Sequence, residues 1–176
     1  MINIFNLCKT LLVSTGLCLF AVPVSQTLAL AQAPKLLSTA TTYNHTSAWE
    51  STYYFTVTVP KTATPLKTIA LTQITGLEPI DFDLQESFAF AGTSDRQGQK
   101  LGISLSKSSQ PQTVIVNLEQ AIAPGQTVTI ALKPVRNPMY EGVYQFRLQS
   151  LAADTQTNNY GIGTARLQFY GVTDTE

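Results

Sequence analysis

The chain has 176 residues, 11 basic and 11 acidic side chains, a formal net charge of zero, one histidine and two cysteines. A surface so balanced supplies no long-range field for nucleic acid or an anionic membrane, and no run of like charge forms an interaction tail. Cys8 and Cys18 both precede residue 32, so a chain trimmed there holds no disulfide, thiolate nucleophile or cysteine metal ligand.

Residues 1–31 read as a cleaved signal peptide. Met1 to Lys9 make a short segment with one positive side chain, Leu11 to Val24 an apolar core, and Ala29-Leu30-Ala31 the small-x-small cleavage pattern. The apolar run is shorter than the roughly 20 residues needed to cross a bilayer, and Pro23 interrupts its end. Lipidation at Cys18 is disfavoured because Leu17, directly before it, is too large for a lipobox. The expected product is one domain, residues 32–176, beginning at Gln32 and without a transmembrane segment. At about 145 residues it is long enough to bury roughly two-thirds of its unfolded surface.

Beyond Ala31 the pattern is short strands with period-2 alternation. Leu36 to Thr42 is a weak first strand. Thr52 to Val59 is the clearest, with Tyr53, Phe55, Val57 and Val59 on one face and Thr52, Tyr54, Thr56 and Thr58 on the other, until Pro60 stops it. Alternation recurs at Ile69 and Leu71, at Ile80, Phe82 and Leu84, at Leu101, Ile103 and Leu105, and at Val114, Val116 and Leu118. It continues at Val128, Ile130 and Leu132, at Tyr144, Phe146 and Leu148, and at Ala165, Leu167 and Phe169. Only Leu84 to Phe90 has room for a helical turn. Gly92 to Lys100 and Asp154 to Asn159 read as polar loops, and Pro124-Gly125 as a type II turn. No repeat or linker divides the chain.

Eight or nine strands with this punctuation specify an all-β fold, a sandwich or barrel. Gly142-x-Tyr144-x-Phe146 has the spacing of a tyrosine corner, which makes Val143 to Leu151 the penultimate strand and narrows the architecture to an Ig-like antiparallel β-sandwich. The antibody-type cysteines are missing, and Trp49 precedes the Tyr53 strand.

The stretch Ile130-Ala131-Leu132-Lys133-Pro134-Val135-Arg136-Asn137-Pro138, followed by Gly142-Val143-Tyr144-x-Phe146, resembles a family of exported cyanobacterial proteins known as domain of unknown function 2808. The likeness extends to Trp49-x-x-x-Tyr53-Tyr54-Phe55, Ile80-x-Phe82-Asp83-Leu84 and Gly163-x-Ala165-Arg166-Leu167-x-Phe169-Tyr170. It implies a cyanobacterial source and an exported destination, whether periplasm, outside or thylakoid lumen. It implies no activity, cofactor or catalytic residue.

The residues themselves offer few chemical candidates. His45 sits in the polar stretch Tyr43-Asn44-His45-Thr46-Ser47, and a hydrolase would need a Ser or Asp converging on it. Asp81 and Asp83 lie two apart on one strand face and have the oxygen chemistry of a calcium site, but the loop lacks an EF-hand series. Zinc or copper would need more than one histidine and one mature methionine, so neither a metal nor another cofactor is expected.

Three residues remain as weak ligand-binding candidates. Arg136, between two prolines, presents a planar fork for a carboxylate or phosphate, although such arginines more often tie a loop to carbonyls or to a neighbour such as Glu141. Tyr54 and Trp49 are candidates for an aromatic sugar platform. The reading that results is a non-catalytic binding or envelope structural module whose partner is an envelope protein or polysaccharide. A hydrolase centred on His45 and a carbohydrate-binding module are the alternatives.

Overall fold

Alternation puts Tyr53, Phe55 and Val57 on one side of their strand. In the computed structural model, which describes residues 32–151 and 159–171, all three are fully buried between two sheets. The strands are β1 (Lys35–Thr41), β2 (Tyr53–Thr58), β3 (Leu66–Thr75), β4 (Phe82–Thr93), β5 (Arg96–Leu101), β6 (Ile103–Lys107), β7 (Thr113–Ile122), β8 (Thr127–Pro134), β9 (Gly142–Leu151) and β10 (Tyr160–Phe169). They form two antiparallel five-stranded sheets in the orders β1-β2-β8-β4-β5 and β10-β9-β3-β7-β6, an Ig-like β-sandwich.

The core between the sheets holds an aromatic cluster. Tyr53 contacts Phe82 and Phe169 at ring separations of 5.9 and 5.6 Å, and Phe55 meets Phe146 edge-on at 5.6 Å. Such pairs add about 0.5–1.5 kcal/mol each beyond the area they bury. At one lateral margin β1 leans across onto β10, where Leu36 packs on Gly163. A Cβ at Gly163 would fall 2.8 Å from that of Leu36, and its φ of 155° also favours glycine.

Several expectations need correction. Gly92 to Lys100 is a hairpin, because β4 runs through Thr93 and β5 begins at Arg96. β5 is an edge strand with its first five residues exposed, so no apolar alternation marks it. The single strand expected over Leu101 to Leu105 is split at Gly102, where the chain leaves one sheet and enters the other. Leu84 to Phe90 is strand and not a helical turn. Its irregular pattern reflects a break in register between Asp83 and Phe88, where the Asp83 carboxylate accepts the Gln85 and Glu86 N–H groups at 2.9 and 3.1 Å. The described residues therefore contain ten strands, against the eight or nine expected. The signal segment and most of the Asp154 to Asn159 stretch lie outside the described residues.

Tyr144 is fully buried, and its hydroxyl donates to the Tyr140 carbonyl at 3.1 Å, the backward bond of a tyrosine corner. Burial raises the phenol pKa, and the negative charge of Glu78 adds to the effect. Burial likewise raises that of Tyr53. Both groups are then neutral in the folded state, so stability is fully present below the ordinary tyrosine value of 10.0 and falls as pH climbs past it and unfolded chains ionise. Tyr144→Phe is expected to cost about 1 kcal/mol in urea melts near neutral pH, the usual worth of one hydrogen bond. Coincident melts would remove the corner bond from the account.

Candidate functional site

The strand pairing gathers four connections at one end of the sandwich: residues 42–52 between β1 and β2, 76–81 between β3 and β4, 108–112 between β6 and β7, and 135–141 between β8 and β9. Residues 170–171, after β10, arrive at the same end. Loops at a sandwich end are the natural place for recognition, because the sheets hold them in position and solvent reaches their side chains.

These loops are fastened to one another by buried polar groups. Asn137 is 0 % exposed. Its Oδ1 accepts the Tyr53 hydroxyl at 2.9 Å, and its Nδ2 donates to the carbonyls of Tyr43 and His45 at 3.0 and 2.8 Å. Its backbone N–H donates to the Ala48 carbonyl at 2.7 Å, and Ser47 N–H donates to the Pro138 carbonyl at 2.9 Å. Tyr170 closes the far side of the 42–52 loop, accepting from Thr46 N–H and donating to the Asn44 carbonyl, both at 2.9 Å. The Glu78 carboxylate accepts the N–H groups of Met139 and Tyr140. The Gln73 amide holds the 76–81 loop from within, donating to the Glu78 carbonyl at 2.8 Å and accepting from Ile80 N–H at 2.9 Å.

One consequence of this bonding concerns two of the candidates. Ser47 N–H bonds to Pro138 and Asn137 N–H to Ala48, so the loop that carries Trp49 is tied to the loop that carries Arg136 at the residues next to both candidates. Trp49 is 66 % exposed and borders an open hollow of about 530 Å³ with Tyr43, His45, Thr46, Ser47 and Glu50. Arg136 is exposed in a groove of about 130 Å³ beside Glu78 and Asp81. A third hollow of about 280 Å³ shares Pro79, Ile80 and Asp81 with that groove and is bordered on its far side by Lys107 and Pro111.

Arg136 does not serve as the loop tie that commonly occupies such an arginine. Its guanidinium forms no hydrogen bond or ion pair with the described residues, and Glu141 instead accepts the Gly171 N–H at 3.2 Å. Tyr54 lies elsewhere, half-buried on the outer face of the β1–β5 sheet, where its ring meets Phe90 at 6.5 Å. The aspartates are occupied: Asp81 pairs with Lys107 at 3.1 Å, and Asp83 caps the β4 irregularity. His45 is exposed, with its imidazole edge-on to Tyr43 at 5.6 Å and no carboxylate or hydroxyl hydrogen-bonded to it among the described residues. Among the described residues, no three His, Cys, Asp or Glu side chains converge as a metal site.

Sequence reasoning singled out Trp49 and Arg136 but passed over Asn137, Glu78 and Gln73, which shape their surroundings. The available signal for Asn137 was its place in Pro134-Val135-Arg136-Asn137-Pro138, where a short amide between prolines is suited to holding a turn.

Asn137→Ala is expected to destabilise the protein by about 3 kcal/mol, because it strands the buried Tyr53 hydroxyl and two carbonyls. Tyr53→Phe in that background should cost less than it does alone, since the acceptor has already gone. Urea melts of both single variants and the double variant measure the coupling. Strict additivity would show that the two side chains act independently.

Residues 26–169 match the family model described as Protein of unknown function (DUF2808). No curated protein matches the chain. Among solved structures, the collagen-binding domain from a Staphylococcus aureus adhesin is similar at 9 % identity and a TM-score of 0.44, over 76 % of this chain and 97 % of that one. The C-terminal domain of the Streptococcus pyogenes antigen I/II-family protein AspA is similar at 9 % identity and a TM-score of 0.43, over 75 % of this chain and 46 % of that one. An enteroaggregative Escherichia coli AAF fimbriae structure, titled for fibronectin binding and biofilm formation, reaches 12 % identity and a TM-score of 0.29, over 78 % and 95 %. The family match spans most of the sequence, and the chain belongs to DUF2808.

Proposed function

We propose that this is an exported, non-catalytic binding module of a cyanobacterial envelope, matured by removal of residues 1–31, which holds an envelope partner at the loop end bearing Trp49 and Arg136. The carrying observation is a bare indole and an uncommitted guanidinium on two loops whose backbones are already tied to each other. Ordering a flexible loop on binding costs conformational entropy, and a braced loop avoids most of that cost. Tryptophan and arginine are also the side chains that most often dominate binding energy at an interface. The hydrolase alternative has weaker support, because His45 has neither a nucleophile nor an orienting acid hydrogen-bonded to it among the described residues. Export rests on the charge, apolar core and Ala29-Leu30-Ala31 pattern of the first segment.

Retention of the purified protein on envelope material is the direct test. Trp49→Ala and Arg136→Ala should each weaken it by about tenfold or more, the size of a modest hot spot. Both exposed substitutions should leave urea melts within about 0.5 kcal/mol of the parent. Tyr54→Ala, on the outer sheet face, should retain full binding. Undiminished retention by both loop-end variants would remove the site from the reading.

A further inference from the structure

We infer that the Trp49 hollow receives a basic side chain, lysine or arginine, of a protein partner, an inference that rests on the binding-module reading above.

The charge of the loop end is the first ground. Its segments, residues 42–52, 76–81, 108–112, 135–141 and 170–171, carry four carboxylates, Glu50, Glu78, Asp81 and Glu141, against one permanent cation, Arg136. The whole chain is balanced, so this excess is local. Lys107, at the end of β6, offsets Asp81 at 3.1 Å, which leaves three carboxylates against Arg136. Glu78 and Glu141 accept backbone N–H groups, which bear no net charge and leave both carboxylates negative. A recognition surface of net negative charge attracts a positive partner and repels a negative one.

The lining of the hollow is the second ground. Two exposed aromatic residues, Trp49 and Tyr43, share it with Glu50. The Glu50 carboxylate forms no hydrogen bond or ion pair with the described residues. An aromatic face attracts a cation through its π-electrons, tryptophan most strongly, and an unpaired carboxylate adds direct Coulomb attraction. His45 is the other titratable side chain on the hollow besides Tyr43, and in its neutral form it contributes no charge. The walls are already in place. The Tyr43 carbonyl accepts the Thr41 hydroxyl at 2.9 Å and the Asn137 amide at 3.0 Å, and the Ala48 carbonyl, next to Trp49, accepts the Asn137 N–H at 2.7 Å. A cation entering between them has little loop ordering to impose.

The kind of cation follows from what the hollow lacks. A divalent metal needs several oxygen or nitrogen ligands, and among the described residues no three such side chains converge. An organic cation needs apolar walls and one counter-charge, which Trp49, Tyr43 and Glu50 supply. One free carboxylate matches one positive charge, and so suits a single side chain better than a polyamine that repeats its charge. Lysine and arginine also bring long apolar stems that cover the indole while the charged head reaches Glu50. The Thr46 and Ser47 N–H groups are already donated to Tyr170 and Pro138, so the partner docks through its side chain and not by adding a strand.

Trp49 is the single tryptophan, so its indole N–H gives one side-chain signal in proton–nitrogen correlation spectra of the purified protein, and movement of that signal reports occupancy of the hollow. The probes are short blocked glycine peptides with a central lysine, arginine or glutamine, together with spermidine and a neutral maltooligosaccharide. Titrations run at low salt and about pH 8, above the ordinary imidazole range. The expected result is a saturable shift with the lysine and arginine peptides, at an affinity on the order of millimolar, and binding about tenfold weaker with the glutamine peptide. Glu50→Gln should lower the affinity for the lysine peptide by about threefold to fivefold. Trp49→Ala, followed through the amide signals of Thr46 and Ser47, should show no saturable shift. Arg136→Ala should not weaken the lysine peptide, because the probe fills the Trp49 hollow alone. A glutamine peptide that binds as tightly as the lysine peptide, or a Glu50→Gln variant that binds lysine undiminished, overturns the cationic part of the inference. Spermidine or the maltooligosaccharide moving the Trp49 signal at lower concentration than the lysine peptide overturns the side-chain part, and no saturable shift with either basic peptide overturns both. In each of these cases, retention on envelope material that still depends on Trp49 upholds the binding-module reading without its basic partner.

Discussion

A buried hydrogen bond, from the Tyr53 hydroxyl to Asn137 Oδ1, joins the aromatic core of this protein to its loop end. Tyr53 opens β2 and packs among Phe82, Phe146 and Phe169, where a phenol without a partner would cost about 1–3 kcal/mol. Only a polar group delivered from another element can satisfy it, and the loop after β8 delivers Asn137. Once buried there, the amide has two N–H groups left that need acceptors. It spends both on carbonyls of the 42–52 loop, and that loop in turn locks onto Tyr170. Satisfying one core hydroxyl thus organises the surface above it.

The arrangement separates two demands that usually conflict. Stability resides in the sheets, where apolar side chains alternate inward, and recognition resides in side chains that the braced loops hold out in water. Trp49 and Arg136 are therefore exposed on loops whose backbones are tied to each other. The covering of β10 by β1 at Gly163 and the sheet-to-sheet crossing at Gly102 lie on the lateral margins and leave the loop end open.

Much of the sandwich was legible because burial of one sheet face writes itself as alternation. Tyr53 to Val59, Val114 to Leu118, Val128 to Leu132 and Tyr144 to Leu148 all carry that imprint, and all are strands facing the core. β5 carried none, since an exposed edge strand has no face to distinguish, and the β4 irregularity looked like a turn because Asp83 makes turn-like bonds within the strand. At the site, Trp49 and Arg136 stood out by residue type, but nothing local announced that their loops would be tied together. That tie runs through Asn137, whose side chain reaches Tyr53, 84 positions away, and the 42–52 loop, contacts that no periodicity records.

Amide hydrogen exchange on the native protein tests most directly whether the loop end is a braced unit. The amides of Thr46, Ser47, Asn137 and Tyr170 lie outside the named strands, yet each donates to a loop carbonyl. All four should exchange about a hundredfold or more slowly than free peptide, and in Asn137→Ala they should lose protection together while Val116 and Leu148, at the sheet centre, keep theirs. Exchange of the four at free-peptide rates in the parent protein would contradict the account, as would protection that Asn137→Ala leaves untouched.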